Sequence, residues 1–97
     1  MSDRKPKYEI DRTTIFRKDL KRAKKRGLDL SLLDEIVTAL QFGEELPEKN
    51  HDHALSGNWA GHRECHIQPD WLLVYRIVED TLILSLVRTG SHSDLKF

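Results

Sequence analysis

The sequence predicts an α+β domain: a helical hairpin packed on one face of a twisted, mainly antiparallel β-sheet, in the order β-α-α-β-β-β with a short C-terminal tail. Three observations carry that prediction. Apolar residues recur at helical spacing twice between residues 14 and 40. Residues 7–12, 60–67, 71–78 and 81–88 alternate or run apolar as strands do. The joints "QPD" and "ED" between the last three strands are hairpin-short, which makes them an antiparallel meander.

In "KYEIDR" (7–12), Tyr8, Ile10 and Arg12 share one side of a short strand. Phe16, Leu20 and Ala23 then fall at i, i+4 and i+7, a helical stripe over residues 14–26. Thr13 or Thr14 can accept its first orphan N–H groups, and Gly27 sits where a left-handed C-cap belongs. Leu32, Leu33, Ile36, Val37 and Leu40 line a second helix that Gly43 ends. Asp29 or Ser31 can cap it, and Ser31 with Asp34 resembles a capping box. The joint "GLD" is short enough to fold the two helices into an antiparallel hairpin. Residues 43–59 carry Pro47, glycines and mixed polar residues without a period and read as loop. The whole chain, 1–97, is expected to be one domain with residues 1–6 as a flexible lead-in.

A net charge of zero hides an uneven distribution. Residues 1–26 hold 11 Lys/Arg against 4 Asp/Glu, whereas residues 27–54 hold one basic residue, Lys49, against 7 acidic ones. The run "RKDLKRAKKR" can therefore meet a polyanion even in a neutral protein; the plain alternative is a solvated helix face. No apolar run reaches the roughly 18–20 residues that span a bilayer. The N-terminus lacks the apolar core of a signal peptide. A lone cysteine, Cys65, cannot form an internal disulfide and fits a reducing compartment, so a cytoplasmic protein is expected.

The strand "GHRECHI" places His62, Glu64 and His66 on one face, roughly 6.5–7 Å apart in succession. That face is either wet or a site, because three polar side chains are costly to bury unpaired. The loop adds His51 and His53, the hairpin adds Asp70 and Trp71, and the last strand ends in Arg88 before "TGSH" brings in His92. Imidazoles, carboxylates and a fixed cation are the parts that metal-free RNA cleavage needs. A base takes the 2′-hydroxyl proton, an acid protonates the departing 5′ oxygen, and a guanidinium holds the phosphate. Trp71 or Phe97 can stack an unpaired base. A metal site built on "HDH" with His62 and His66 is the rival, yet there is no HExxH helix and no CxxC pair. Cys65 reads as a small buried residue and not as a nucleophile.

The segments "NHDHALSGNWAGHRECHIQPDWLLVYRI" and "LVRTGSHSDL" resemble the YafQ branch of the RelE/ParE superfamily, the toxins of bacterial type II toxin–antitoxin modules. The resemblance covers roughly residues 50–97, and it implies the same β-α-α-β-β-β fold for the whole chain. It implies a ribonuclease, without cofactor or metal, that cuts messenger RNA in the ribosomal A site and is silenced by a cognate antitoxin protein. By position it assigns His53, Glu64, His66, Asp70 and His92 to catalysis and Arg88 to the phosphate. Relatives often end in Leu-Phe; here Lys96 takes the aromatic place and Phe97 comes one residue later. His51 and His62 match no functional position and read as surface residues. The resemblance also gives Lys18, Lys21, Arg22, Lys24 and Lys25 a role against ribosomal RNA. A non-enzymatic relative that binds DNA gyrase is the second reading; it would not need the His66, Asp70, Arg88 and His92 set.

Overall fold

The computed structural model describes residues 5–96; residues 1–4 of the expected lead-in, and Phe97, lie outside the described residues. In chain order the elements are β1 (Glu9–Arg12), α1 (Thr14–Lys25), α2 (Leu30–Gln41), β2 (His53–Ala54), β3 (Arg63–Gln68), β4 (Trp71–Val78), β5 (Ile83–Gly90) and α3 (His92–Leu95). The expected order holds, with two additions. β2 lies within the segment read as loop and α3 within the tail, and neither is long enough to show a period. Among the described residues no helix is long and apolar enough to cross a membrane.

Local chemistry sets the helix ends. Thr13 Oγ1 accepts from Phe16 N at 3.0 Å and donates to the Val87 carbonyl at 2.8 Å, so one side chain caps α1 and ties it to β5. Gly27, at φ 76°, lets the next turn reverse: Gly27 N–H bonds to Lys24 O and Leu28 N–H to Ala23 O. At α2 the cap is Asp29, whose Oδ1 accepts from Ser31 N at 3.0 Å and Ser31 Oγ at 2.6 Å. The Ser31 hydroxyl is thereby used, and the box expected with Asp34 does not form.

The five strands make one sheet in the order β1-β5-β4-β3-β2. β2–β3, β3–β4 and β4–β5 are antiparallel, and β1 lies parallel to β5. β4 is central, and Trp71 to Tyr75 are all buried. α1 and α2 cover one face, packing Phe16, Ala23, Leu33, Ile36, Val37 and Leu40 on Cys65, Leu73, Tyr75, Leu84 and Leu86. The opposite face is not wholly wet. Leu72 and Val74 are sealed there by Leu95 of α3, with Leu55, Trp59 and Val87 around them. β-Bulges at His66/Gln68 on β3 and opposite Val74/Tyr75 on β5 interrupt the register at the end of the sheet that carries the polar residues.

Trp71 corrects one expectation. It alternates with Leu73 and Tyr75 toward the helices, is 2% exposed, and cannot stack a substrate base. Its Nε1–H donates to Thr89 Oγ1 at 2.9 Å, and that hydroxyl donates onward to the Leu72 carbonyl at 2.7 Å. Trp71→Phe removes the donor and some packing volume, so it should lower unfolding free energy by about 1–3 kcal/mol. Urea denaturation of wild type and variant checks this, and unchanged stability would contradict the structural role given to Trp71.

Candidate active site

Strand register builds the site. His53 of β2 faces Glu64 of β3, Glu64 faces Val74 of β4, and Val74 faces Arg88 of β5. One residue pair further along, His66 faces Leu72, which faces Gly90. Neighbouring strands lie roughly 4.8 Å apart and alternate residues roughly 7 Å apart, so two short rows gather the expected groups on the face opposite the helices. Glu64 is buried and its Oε1 lies 3.5 Å from His53 Nε2, a contact that becomes an ion pair when the imidazole is protonated. His53 is turned toward it because its Nδ1–H donates to the His51 carbonyl at 2.7 Å.

The second row ends in three imidazoles. The His66 ring meets the His51 ring edge-on at 5.4 Å and the His92 ring edge-on at 5.5 Å. Asp70 Oδ1 accepts from both His92 N, at 2.9 Å, and His92 Nδ1, at 2.6 Å. Those two donors hold the exposed Asp70 carboxyl below its usual range, the backbone N–H having the larger effect. The same bonds fix the His92 tautomer, leaving Nε2 as its free nitrogen. The Asn50 side chain, buried at 4% exposure, donates Nδ2–H to the His66 carbonyl at 2.7 Å and steadies the strand beneath the row.

Arg88 is held from below by a residue the sequence reading missed. Asp19 of α1 is buried; its Oδ2 accepts from Arg88 Nε at 2.7 Å and from Thr89 N at 3.1 Å, while Oδ1 accepts from Arg88 Nη2 at 3.2 Å. This bond raises the Arg88 pKa further. The fork uses Nε and Nη2 and leaves Nη1 outside it. A signal for Asp19 exists in the sequence: with Phe16, Leu20 and Ala23 it completes the i, i+3, i+4, i+7 stripe, so a carboxylate sits where an apolar residue belongs.

α3 is tied down in the same way. Ser91 Oγ accepts from Asp94 N and Asp94 Oδ2 accepts from Ser91 N, a capping box. Arg26 donates to both Asp94 oxygens, at 2.5 and 3.1 Å, and Arg22 approaches within 3.1 Å. The Arg26 guanidinium and then the Ser91 N–H hold the Asp94 carboxyl well below the carboxylate range. Its stabilising effect is therefore present above about pH 4 and lost as the pH falls through that lower native value. Arg22 also lies 3.6 Å from Asp19, so this member of the five basic residues expected on the ribosomal face is already committed to carboxylates. Lys18, Lys21, Lys24 and Lys25 are exposed.

The remaining expected residues sort plainly. Phe97 lies outside the described residues. His62 is half-buried with its ring edge-on to Trp59, 5.3 Å away, and stands apart from the row. His51, read as a surface residue, is exposed, and its ring also meets His66 of the row. Between His51 and His53, Asp52 turns the other way, accepting from Tyr75 Oη at 2.6 Å and from Arg63 Nε and Nη2 at 3.4 and 3.3 Å. It anchors the loop that presents both histidines. Burial pushes the Cys65 thiol up to about 12, which leaves it without thiolate character at neutral pH. Among the described residues no group of three or more His, Cys, Asp and Glu is placed to hold a metal ion.

The fold and this cluster define a small α+β domain whose sheet face brings imidazoles and carboxylates together beside a clamped arginine. The family model for the bacterial toxin of type II toxin–antitoxin systems, YafQ, matches residues 8–97, and the chain belongs to that family. The mRNA interferase toxin YafQ of Escherichia coli (strain K12) is 36% identical over 88 residues, spanning 90% of this chain and 94% of that protein. Among solved structures, the E. coli DinJ–YafQ toxin–antitoxin complex aligns with a TM-score of 0.84 at 36% identity, covering 92% of this chain and 97% of the other. A metal-bound toxin from Helicobacter pylori aligns with a TM-score of 0.86 at 45% identity, covering 91% and 98%.

Asp19→Asn should cost a few kcal/mol, near the low end of the ~3–5 kcal/mol for breaking a buried pair because Arg88 is partly exposed. Asp19→Leu with Arg88→Met should recover stability. Thermal and denaturant unfolding of both variants check this, and a wild-type-like Asp19→Asn would show the clamp to be idle.

Proposed function

We propose that this chain is the endoribonuclease of a toxin–antitoxin pair, acting as one domain in the cytoplasm and cutting translated messenger RNA on the ribosome without a metal. The observation that carries the reading is the His51–His66–His92 row with Asp70 on the His92 Nδ1, set one row from Arg88. The E. coli relative bears the name mRNA interferase toxin, and its structure is that of a toxin–antitoxin complex; a cognate antitoxin is accordingly the expected partner here.

The chemistry follows from the atoms available. Neutral His92 carries a lone pair on Nε2, which suits the base that takes the ribose 2′-hydroxyl proton. O2′ then attacks the adjacent phosphorus in line and the P–O5′ bond breaks. O5′ takes a proton from His66 as imidazolium, leaving a 2′,3′-cyclic phosphate and a free 5′-hydroxyl. Arg88 faces the charge that builds on the phosphoryl oxygens, with Asp19 holding it at the right reach. Glu64 with His53 supplies a second proton-transfer pair on the same face, one row away. Lys18, Lys21, Lys24 and Lys25 give α1 a cationic outer side for ribosomal RNA.

His66→Ala and His92→Ala should each slow cleavage of translated message by about 10²–10⁴-fold and relieve growth arrest while keeping the wild-type circular dichroism spectrum. Chelation on intact ribosomes should leave wild-type cutting unchanged. Full toxicity in both folded variants, or a chelator effect reversed by zinc or nickel, rejects this mechanism.

Changing Lys21, Lys24 and Lys25 to Glu should weaken ribosome binding and flatten its salt dependence, because fewer counterions are released. Turnover at saturating ribosomes should fall much less. Equal affinities and equal slopes across a salt series would leave these lysines as a solvated face.

A further inference from the structure

Beside the imidazole row, a cavity of about 520 Å³ opens along the edge of β3. β2 covers β3 only at Arg63 and Glu64, so the edge from Cys65 to Gln68 faces the turn at residues 48–51 and the start of α2. The volume falls within the roughly 300–1,000 Å³ usual for small-ligand pockets. Half-buried Leu32 and Ile67 and exposed Pro69 give it an apolar lining, to which exposed Lys49 and Gln68 add polar groups. The imidazoles of His51 and His66 form the wall shared with the row. Ile67 alternates with Cys65 toward the helix side, which brings it to this lining. Asn50 also lines the cavity, and its Oδ1 is enclosed with no donor among the described residues.

We propose that this pocket is a nucleobase subsite, which receives the unpaired base of a nucleotide flanking the phosphate held at the His66–His92 row. Flat heteroaromatic rings stack on imidazole, the Gln68 amide offers both a donor and an acceptor to a base edge, and exposed Lys49 is open to the backbone phosphate. Continuity is the main argument. A strand of RNA whose phosphate meets His66 on the sheet face has only to cross the β3 edge for the next base to enter. The subsite rests on the reading of the row as an RNA-cleaving site, and it makes this chain itself a reader of sequence at one position.

The test maps cleavage on translated messages that vary every base around the cut. Wild type should discriminate among bases at one fixed position. Gln68→Ala, an exposed change that leaves the row untouched, should reduce that discrimination about five- to tenfold while cutting continues. Leu32→Trp, which fills the cavity, should abolish it. In parallel, titration with nucleoside 3′-monophosphates should shift the His51 and His66 imidazole and Ile67 methyl resonances of wild type but not of Leu32→Trp. If wild type cuts and neither the preference nor the shifts depend on these residues, the subsite is overturned. It is equally overturned if the variants lose only capture of a protein partner. Shifts without any cutting would keep the subsite and remove the reaction.

Discussion

Asp19 is a buried carboxylate in the middle of the most basic stretch of the chain, and the C-terminal end of β5 is arranged around it. β1 runs out at Arg12, opposite Leu86, so from Val87 onward the β5 edge has no strand beside it. The start of α1 takes over: Thr13 binds the Val87 carbonyl, and Asp19 binds Thr89 N and the Arg88 guanidinium. A buried pair of this kind adds little net stability over an apolar substitute, since desolvation offsets the attraction. What it fixes is position. With Thr89 pinned, its hydroxyl reaches Leu72 O and Trp71 Nε1, the strand end stays seated on β4, and the chain enters α3 at Ser91 in one place.

Each residue of "RTGSH" then has a separate physical task. Arg88 is the clamped cation and Thr89 locks the strand to β4. Gly90 leaves room for Asp94, whose side chain would lie 2.9 Å from any added Cβ. Ser91 caps α3, and His92 turns back to Asp70. The hairpin between β3 and β4 supplies that carboxylate, and Leu95 seals the small core over Leu72 and Val74. The sheet face that bears the polar row is therefore packed, beside that row, by an apolar cluster.

The helices, the meander and the family were legible because each rests on a long pattern: two helical stripes, three strands and an extended motif. β2 and α3 were not, since two and four residues carry no period. Their existence is decided by partners far away in sequence: Glu64 and Arg63 for β2, Leu72, Val74 and Asp70 for α3. Trp71 was misjudged for the converse reason. Its strand is buried on both faces, so an aromatic beside an acidic turn goes into the core instead of the site. His51 carried no signal of its own. Its ring joins His66 because the chain adopts a left-handed conformation there, φ 47°, and Asp52 is pulled under the sheet by Tyr75 and Arg63.

The charge count misleads in an instructive way. Along α1, Arg22 stands at i+3 from Asp19 and Arg26 at i+4 from Arg22, on the flank nearest α3. Asp94 takes up both guanidiniums, so they work inward, as fasteners between the helix and the segment carrying His92. The lysines point outward. Arginine's planar fork suits that fastening, so a run that looks like one basic patch divides into two surfaces, Arg22 and Arg26 on the flank toward α3 and Arg17 with the lysines toward solvent. The same helix thus positions the segment that carries His92 from its inner flank while presenting its cationic side to solvent. The end of the sheet that carries His66 and His92 is held by Asp19, Asp70 and Asp94, independently of the outward lysines.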